Sequence, residues 1–279
     1  MFPKSVVLAY DFSQEMKKLM DRLPDLKNIG IEEVFLLHVS DVTRSGSHGQ
    51  ISKKNRSEKL ESVKEKIEDI GFESVKKDVH LGFPSEEIPK FAKDKNSMLL
   101  IGSHGRGVVK NVFLGGTAYD IIRKAKTPVF VEKVKNESPP KNVCKKILLP
   151  TDFSDDSNHL FNILKESEFR PEEIILLSVI EESESSEELE KKREDLKVKL
   201  KTLKEELEKS GFCQNIDYRV EEGAASRMIA KTARSEDISL ICMPNRGHGG
   251  LKEIIIGTTA KEVTRLSSVP VLLFPRESL

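Results

Sequence analysis

Short, nearly continuous apolar runs recur along the chain at 5–9, 34–39, 98–101 and 129–131, and again at 147–149, 174–179, 238–242 and 271–273. Runs of this length without polar alternation are expected of strands buried on both faces of a parallel sheet. Residues 75–81 and 216–220 behave differently. Ile216-Asp217-Tyr218-Arg219-Val220 alternates apolar with polar, which predicts an edge strand with one wetter face, and 75–81 is its weaker counterpart. Between the runs the period lengthens: Leu60, Val63, Ile67 and Ile70, and then Ile88, Phe91 and Ala92, fall three and four apart, so each segment offers one apolar stripe to a sheet. Each half therefore reads βαβαβαβαβ.

The two halves are copies. Asp11-Phe12-Ser13 recurs 141 residues later as Asp152-Phe153-Ser154, and VFLLHV (34–39) is matched by IILLSV (174–179). Gly82 is matched by Gly223, Gly105 by Gly247, Gly115 by Gly257, and TPVFV (127–131) by VPVLL (269–273). Agreement over the whole length at a nearly constant offset means duplication with one insertion or deletion. The expected organisation is a domain over 1–135, a linker over 136–143 inside the Pro-containing polar stretch KVKNESPPKNVCKK, and a second domain over 144–279. Each domain is expected to be an α/β doubly wound five-stranded parallel sheet with flavodoxin-like layering and right-handed crossovers. Polar residues 40–57 read as a loop. From Ser183 to Ser210 the spacing of Leu189, Leu196, Leu200, Leu203 and Leu207 resembles a coiled-coil seam, but it spans few heptads; one long helix covering its own sheet and ending at Gly211 is the favoured reading.

Charge and cysteine content narrow the function classes. Forty-six basic and forty-six acidic residues cancel, so no net field draws the protein to nucleic acid or to an anionic membrane. Cys144, Cys213 and Cys242 lie far apart, odd in number and without CxxC spacing, which argues against a disulfide framework or a cysteine-rich zinc site. No run is long enough to span a bilayer and the chain opens without a signal-like segment, so a cytoplasmic location is expected. The histidines form no HExxH pair. His104 and His248 lie within or beside the glycine loops, where exposure without an essential role is expected.

Those loops hold the remaining chemistry. GSHGRGVVKNVFLGGT (102–117) follows one apolar run and MPNRGHGGLKEIIIGTT (243–259) follows another. Glycines admit close backbone approach, and the helix that follows presents N–H groups and a positive dipole end to an anion. In a doubly wound sheet the ligand crevice lies beyond the carboxyl ends of the strands where their order reverses, which brings Asp11 to the first loop and Asp152 to the second. A carboxylate can accept hydrogen bonds from a ribose or an exocyclic amine while glycine-loop amides take phosphate. Neither loop matches GxxxxGK[ST] or GxGxxG, and loops leaving strands carry glycine for turn geometry anyway. Ser13 and Ser154 lack a GxSxG elbow and are better read as helix caps, a role also open to Asp11 and Asp152. Arg106 and Lys110 offer charge near the first loop or simply line a solvated helix face.

With these residues the chain resembles a tandem universal stress protein, two copies of that domain covering nearly all of it. The adenine nucleotide α-hydrolase-like fold comes with the resemblance. So does ATP or a related adenine nucleotide as ligand, any metal being Mg²⁺ that arrives with it. The family's ATP-binding members carry glycine, two residues, glycine, nine residues, glycine and then Ser or Thr. Gly102, Gly105 and Gly115 fit, but Gly116 stands where the hydroxyl belongs, with Thr117 next; Gly247, Gly257 and Thr258, followed by Thr259, fit, but Pro244 replaces the first glycine. Pro244 removes one N–H donor, and the missing hydroxyl at Gly116 is expected to cost about 1 kcal/mol of binding. The resemblance further implies that Asp11 and Asp152 approach the adenosine with main-chain groups near Val39 and Val179, and that Tyr10, where the second copy has Thr151, narrows the first pocket. The first copy, which keeps both loop glycines, is the favoured binder. A stress-response or regulatory nucleotide-binding protein with little or no hydrolysis is the leading function. A weak hydrolase or phosphotransferase and a nucleotide-free interaction scaffold are the alternatives, with a homodimer and a further protein partner left open.

Overall fold

The computed structural model describes residues 1–41, 49–103, 114–133, 142–182, 185–246 and 256–276. The chain divides into two compact units, one spanning Pro3–Lys135 and the other Asn136–Glu277 together with Met1–Phe2. The first unit runs β1 (Ser5–Ala9), α1 (Met16–Asn28), β2 (Glu33–Asp41), α2 (Gly49–Glu68), β3 (Ser74–Gly82), α3 (Pro84–Asp94), β4 (Met98–Gly102), α4 (Gly116–Lys124) and β5 (Val129–Glu132). The second runs β6 (Lys146–Pro150), α5 (Asp155–Glu166), β7 (Glu173–Ile180), α6 (Ser186–Lys209), β8 (Ile216–Glu222), α7 (Ala225–Ser235), β9 (Leu240–Pro244), α8 (Thr258–Leu266) and β10 (Val271–Phe274).

Strand order is β3-β2-β1-β4-β5 in the first unit and β8-β7-β6-β9-β10 in the second, with every pairing inside each unit parallel. The first and fourth strands of each unit are neighbours, so the order reverses between them as a doubly wound sheet requires. The central strands are buried on both faces: Val6, Val7 and Leu8, and Ile147, Leu148 and Leu149, are all at 0% exposure. The edge strands β3 and β8 alternate buried with wetter positions, as their mixed composition anticipates.

One segment departs from the hydrophobic pattern, and a second follows its favoured reading. Helix α2 begins at Gly49, so residues 49–57 are helical rather than loop; 42–48 lie outside the described residues. Gln50, Lys53, Lys54 and Arg56 in this stretch are adequate helix formers without any apolar stripe to advertise them. Helix α6 turns Leu200, Leu203 and Leu207 into the core of its own unit while Leu189 and Leu196 stay half-exposed. It starts at Ser185, whose hydroxyl accepts from Glu188 N at 3.2 Å, and stops at Gly211, whose φ of 74° only glycine adopts without cost.

The first unit also buries charge that no periodicity announces. Arg22 on α1, 3% exposed, donates through Nε to Glu132 Oε2 at 2.6 Å and pairs through Nη1 with Asp25. Glu132 is fully buried at the end of β5, and Lys133 beside it is 6% exposed. Burial pushes the Asp25 carboxyl up against the opposing pull of Arg22, and burial pushes the Lys133 amine down to about 8 although Glu132 resists. In the repeat, Ile163 and Phe274 stand where Arg22 and Glu132 stand, so the second unit fills the same place with apolar side chains.

Candidate functional site

The site is built from the ends of the first, second and fourth strands of each unit. After β6 the chain turns through Thr151 and Asp152 to Phe153, whose φ of 58° is unusual for a side chain with a Cβ and costs on the order of 1 kcal/mol. That turn lets Asp152 Oδ1 accept from Ser154 N at 3.0 Å and from Ser157 Oγ at 2.9 Å, so the carboxylate is held at the head of α5. Ser154 is the N-cap of α5, its hydroxyl accepting from Ser157 N at 3.3 Å. Thr151 is tied across the sheet twice: its N–H donates to Leu177 O and its carbonyl accepts from Ser178 Oγ, at 2.8 and 2.7 Å.

The first unit repeats the turn with other side chains. Phe12 has φ 61°, Asp11 Oδ1 accepts from Ser13 N at 2.9 Å, and Tyr10 N donates to Leu37 O at 2.8 Å. His38 replaces Ser178 and its Nδ1 lies 2.7 Å from the Tyr10 carbonyl. Tyr10, Phe12 and His38 pack edge to face, with ring centroids 5.2 and 4.9 Å apart, and burial together with the Asp11 charge raises the Tyr10 phenol. Met16 stands where Ser157 stands in the second unit. Ser13 is not a cap: α1 is preceded by Glu15 without a side-chain cap bond, and the Ser13 hydroxyl is buried without a partner among the described residues.

The glycine loops themselves, including Gly105, Gly247, His104, His248, Arg106 and Lys110, lie outside the described residues, but their two anchored ends are alike. Gly115 N donates to Ser103 O at 2.8 Å and Gly257 N to Asn245 O at 2.7 Å, closing each loop before the helix that follows. A Cβ on Gly257 would meet Asn245 O at 3.2 Å and Arg246 Cα at 3.4 Å, which explains a glycine there. Gly115 and Gly257 are N-caps without side-chain acceptors, so the first-turn N–H groups of α4 and α8, from Gly116 and Thr117 and from Thr258 and Thr259, have no side-chain cap. Pro244 ends β9 in register with Phe274, and the next residue supplies the ladder bond, Asn245 N to Phe274 O at 2.8 Å.

In the second unit these parts enclose a cavity of about 400 Å³. Asp152, Val179, Gly257, Thr258 and Thr259 all line it, drawn together from two strand ends and the start of one helix. In the first unit Asp11 follows β1, Val39 lies near the end of β2, Gly102 ends β4, and Gly115, Gly116 and Thr117 begin α4, so all belong to the carboxyl edge of that sheet. The sequence reading missed Ser157, Glu181, Ile229, Met243 and Arg246 as lining residues. Period two along β7 would have found Glu181, since Leu177, Val179 and Glu181 share one face. Ile229 arrives from a helix distant in sequence and carries no local signal. Chemically, the cavity offers apolar walls, two carboxylates at Asp152 and Glu181, three threonine hydroxyls, one guanidinium and an uncapped helix N-terminus. Among the described residues no group of three His, Cys, Asp or Glu side chains could hold a metal ion, and no helix is long and apolar enough to cross a membrane.

Comparison with known proteins agrees with this architecture. The family model described as the universal stress protein family matches twice, over residues 3–133 and 144–275. Universal stress protein MJ0577 of Methanocaldococcus jannaschii is 31% identical over 157 residues, covering 48% of this chain and 96% of that protein. Universal stress protein MJ0531 of the same organism is 32% identical over 145 residues, covering 47% of this chain and 82% of its own length. Over the full chain, the crystal structure of a universal stress protein from Archaeoglobus fulgidus superimposes with a TM-score of 0.77 at 24% identity, covering 99% of this chain and 100% of that one.

Proposed function

We propose that this chain, which belongs to the universal stress protein family, is a regulatory module that binds ATP or a related adenine nucleotide in the cavity of its second domain. The observation that carries the reading is the cavity itself: about 400 Å³ at the point where the strand order reverses, with Asp152 on one strand end and the uncapped N-terminus of α8 on its wall. A helix N-terminus without a side-chain acceptor is a phosphate site, and Arg246 adds a positive charge beside it. Asp152, fixed by two hydrogen bonds from α5, is placed to accept from a ribose hydroxyl. Thr258 supplies the hydroxyl that Gly116 lacks. The first domain, which keeps both loop glycines, remains a candidate for a second site.

Nothing among the described lining residues forms the nucleophile, base and metal set that fast hydrolysis needs, so the module is read as a binder whose state depends on nucleotide occupancy. Isothermal titration with ATP tests this. Wild type is expected to bind, and Asp152→Ala and Gly257→Val to weaken binding by about tenfold or more. A wild-type protein that produces no heat and retains no nucleotide through purification would sink the reading. Phosphate release measured with Mg²⁺ and ATP, with Asp152→Ala as control for contaminating ATPase, separates the binder from a slow hydrolase.

A further inference from the structure

The cavity has two unlike ends. Strand β6 lies between β7 and β9, so groups on β7 and groups following β9 are separated by two interstrand spacings, roughly 10 Å. Arg246, Thr258 and Thr259 stand at the β9 end, and Asp152 stands in the middle after β6. At the β7 end the walls are apolar, from Leu177, Val179 and Ile229, and a single carboxylate, Glu181, closes them. Glu181 is not loose: its Oε1 accepts from Ala225 N at 2.8 Å, the first helical residue of α7, where the positive end of the helix dipole complements its charge. Its second oxygen has no hydrogen-bond partner among the described residues.

We propose that Glu181 reads the base, making the second-domain site selective for 6-aminopurine over 6-oxopurine nucleotides. The proposal rests on the nucleotide reading above. With phosphates at α8 and the sugar at Asp152, a flat base lies between the apolar walls with its edge toward β7 and α7. An ionised carboxylate only accepts hydrogen bonds. The exocyclic amine of adenine donates to it in this pose, whereas hypoxanthine or guanine sets its 6-oxo acceptor against the carboxylate and must shift to offer N1–H instead. A site built around a hydrogen bond rejects the analogue that cannot make it far more strongly than an apolar pocket rejects a change of shape.

Dissociation constants for ATP and ITP, which share sugar and triphosphate, test the idea in an Asp11→Ala background that restricts the reading to the second domain. The parent is expected to prefer ATP by at least about tenfold, and Glu181→Gln to reduce the preference to within about twofold, because a neutral amide can turn either its oxygen or its NH₂ to the ligand. A residue that merely caps α7 would lower both affinities together on substitution and leave their ratio unchanged. Equal binding of ATP and ITP by the parent, or a preference that survives Glu181→Gln, overturns the role of Glu181 while leaving the nucleotide site standing. If neither nucleotide binds, both readings are overturned.

Discussion

Arg22 shows how much can turn on one side chain. It is buried between Glu132 and Asp25, and its removal leaves two carboxylates in a site that admits little water. Arg22→Ala is expected to destabilise the first domain by about 3–5 kcal/mol, read from the urea midpoint, because breaking a buried pair costs far more than the pair contributes. Replacing Arg22 and Glu132 together by the Ile and Phe of the second domain should recover only part of that loss, because Asp25 still loses its arginine. Gly116 points the other way. A Cβ there meets nothing within 4 Å, so Gly116→Ser should stabilise α4 by about 0.5–1 kcal/mol and, on the binding reading, raise the first domain's affinity for ATP several-fold. A titration in an Asp152→Ala background, where only the first domain is intact, checks the second part. The glycine and hydroxyl spacing of the loops is a local pattern that the sequence displays directly. Arg22 was not legible, since an arginine on a helix reads as solvent-facing until its partner 110 residues away is known.

At the scale of elements, the strands were almost wholly legible. A strand covered on both faces must be apolar throughout, and only β3 and β8 escape that demand. Helices were legible where they carry a stripe, as at Ile88, Phe91 and Ala92, and illegible where they do not, as over 49–57. Helix α6 tests the distinction between a seam and a core face. Leu200 and Leu207 are fully buried and Leu203 nearly so, all on the side of their own sheet. Leu203→Lys is therefore expected to lower the melting temperature without altering the elution volume in size-exclusion chromatography. A shift in oligomeric state at unchanged stability would restore the coiled-coil reading. Leu200→Ala should cost about 2–5 kcal/mol by leaving a cavity.

For the whole molecule, duplication produced two units with one topology and unlike interiors. That difference should appear as pH dependence. Lys133 is held near 8 in the folded protein against about 10.4 in the unfolded chain, so between those values the unfolded state binds more protons. Stability should accordingly rise as pH climbs from about 8 to about 10.4, by on the order of 3 kcal/mol at most, and Lys133→Met should abolish that rise. Urea titrations at a series of pH values read it directly; parallel curves for the two proteins across that window would show that Lys133 is not the group responsible. Asp25 contributes with the same logic and the opposite sign at the acid end. Its raised carboxyl favours the folded state at low pH, a contribution lost as pH rises through its folded value.

Sequence by itself determined the α/β class, the duplication, and the order of strands and helices. Each of these follows from short-range periodicity or from one half of the chain repeating the other. Only the tertiary structure decided which side chains share a space. It brought Glu181, Ile229 and Arg246 to the same cavity as Asp152 and Thr258, and it buried Arg22 against Glu132. The reason is geometric: parallel strands joined by crossover helices gather the ends of segments far apart in sequence, and no local pattern records which ends meet.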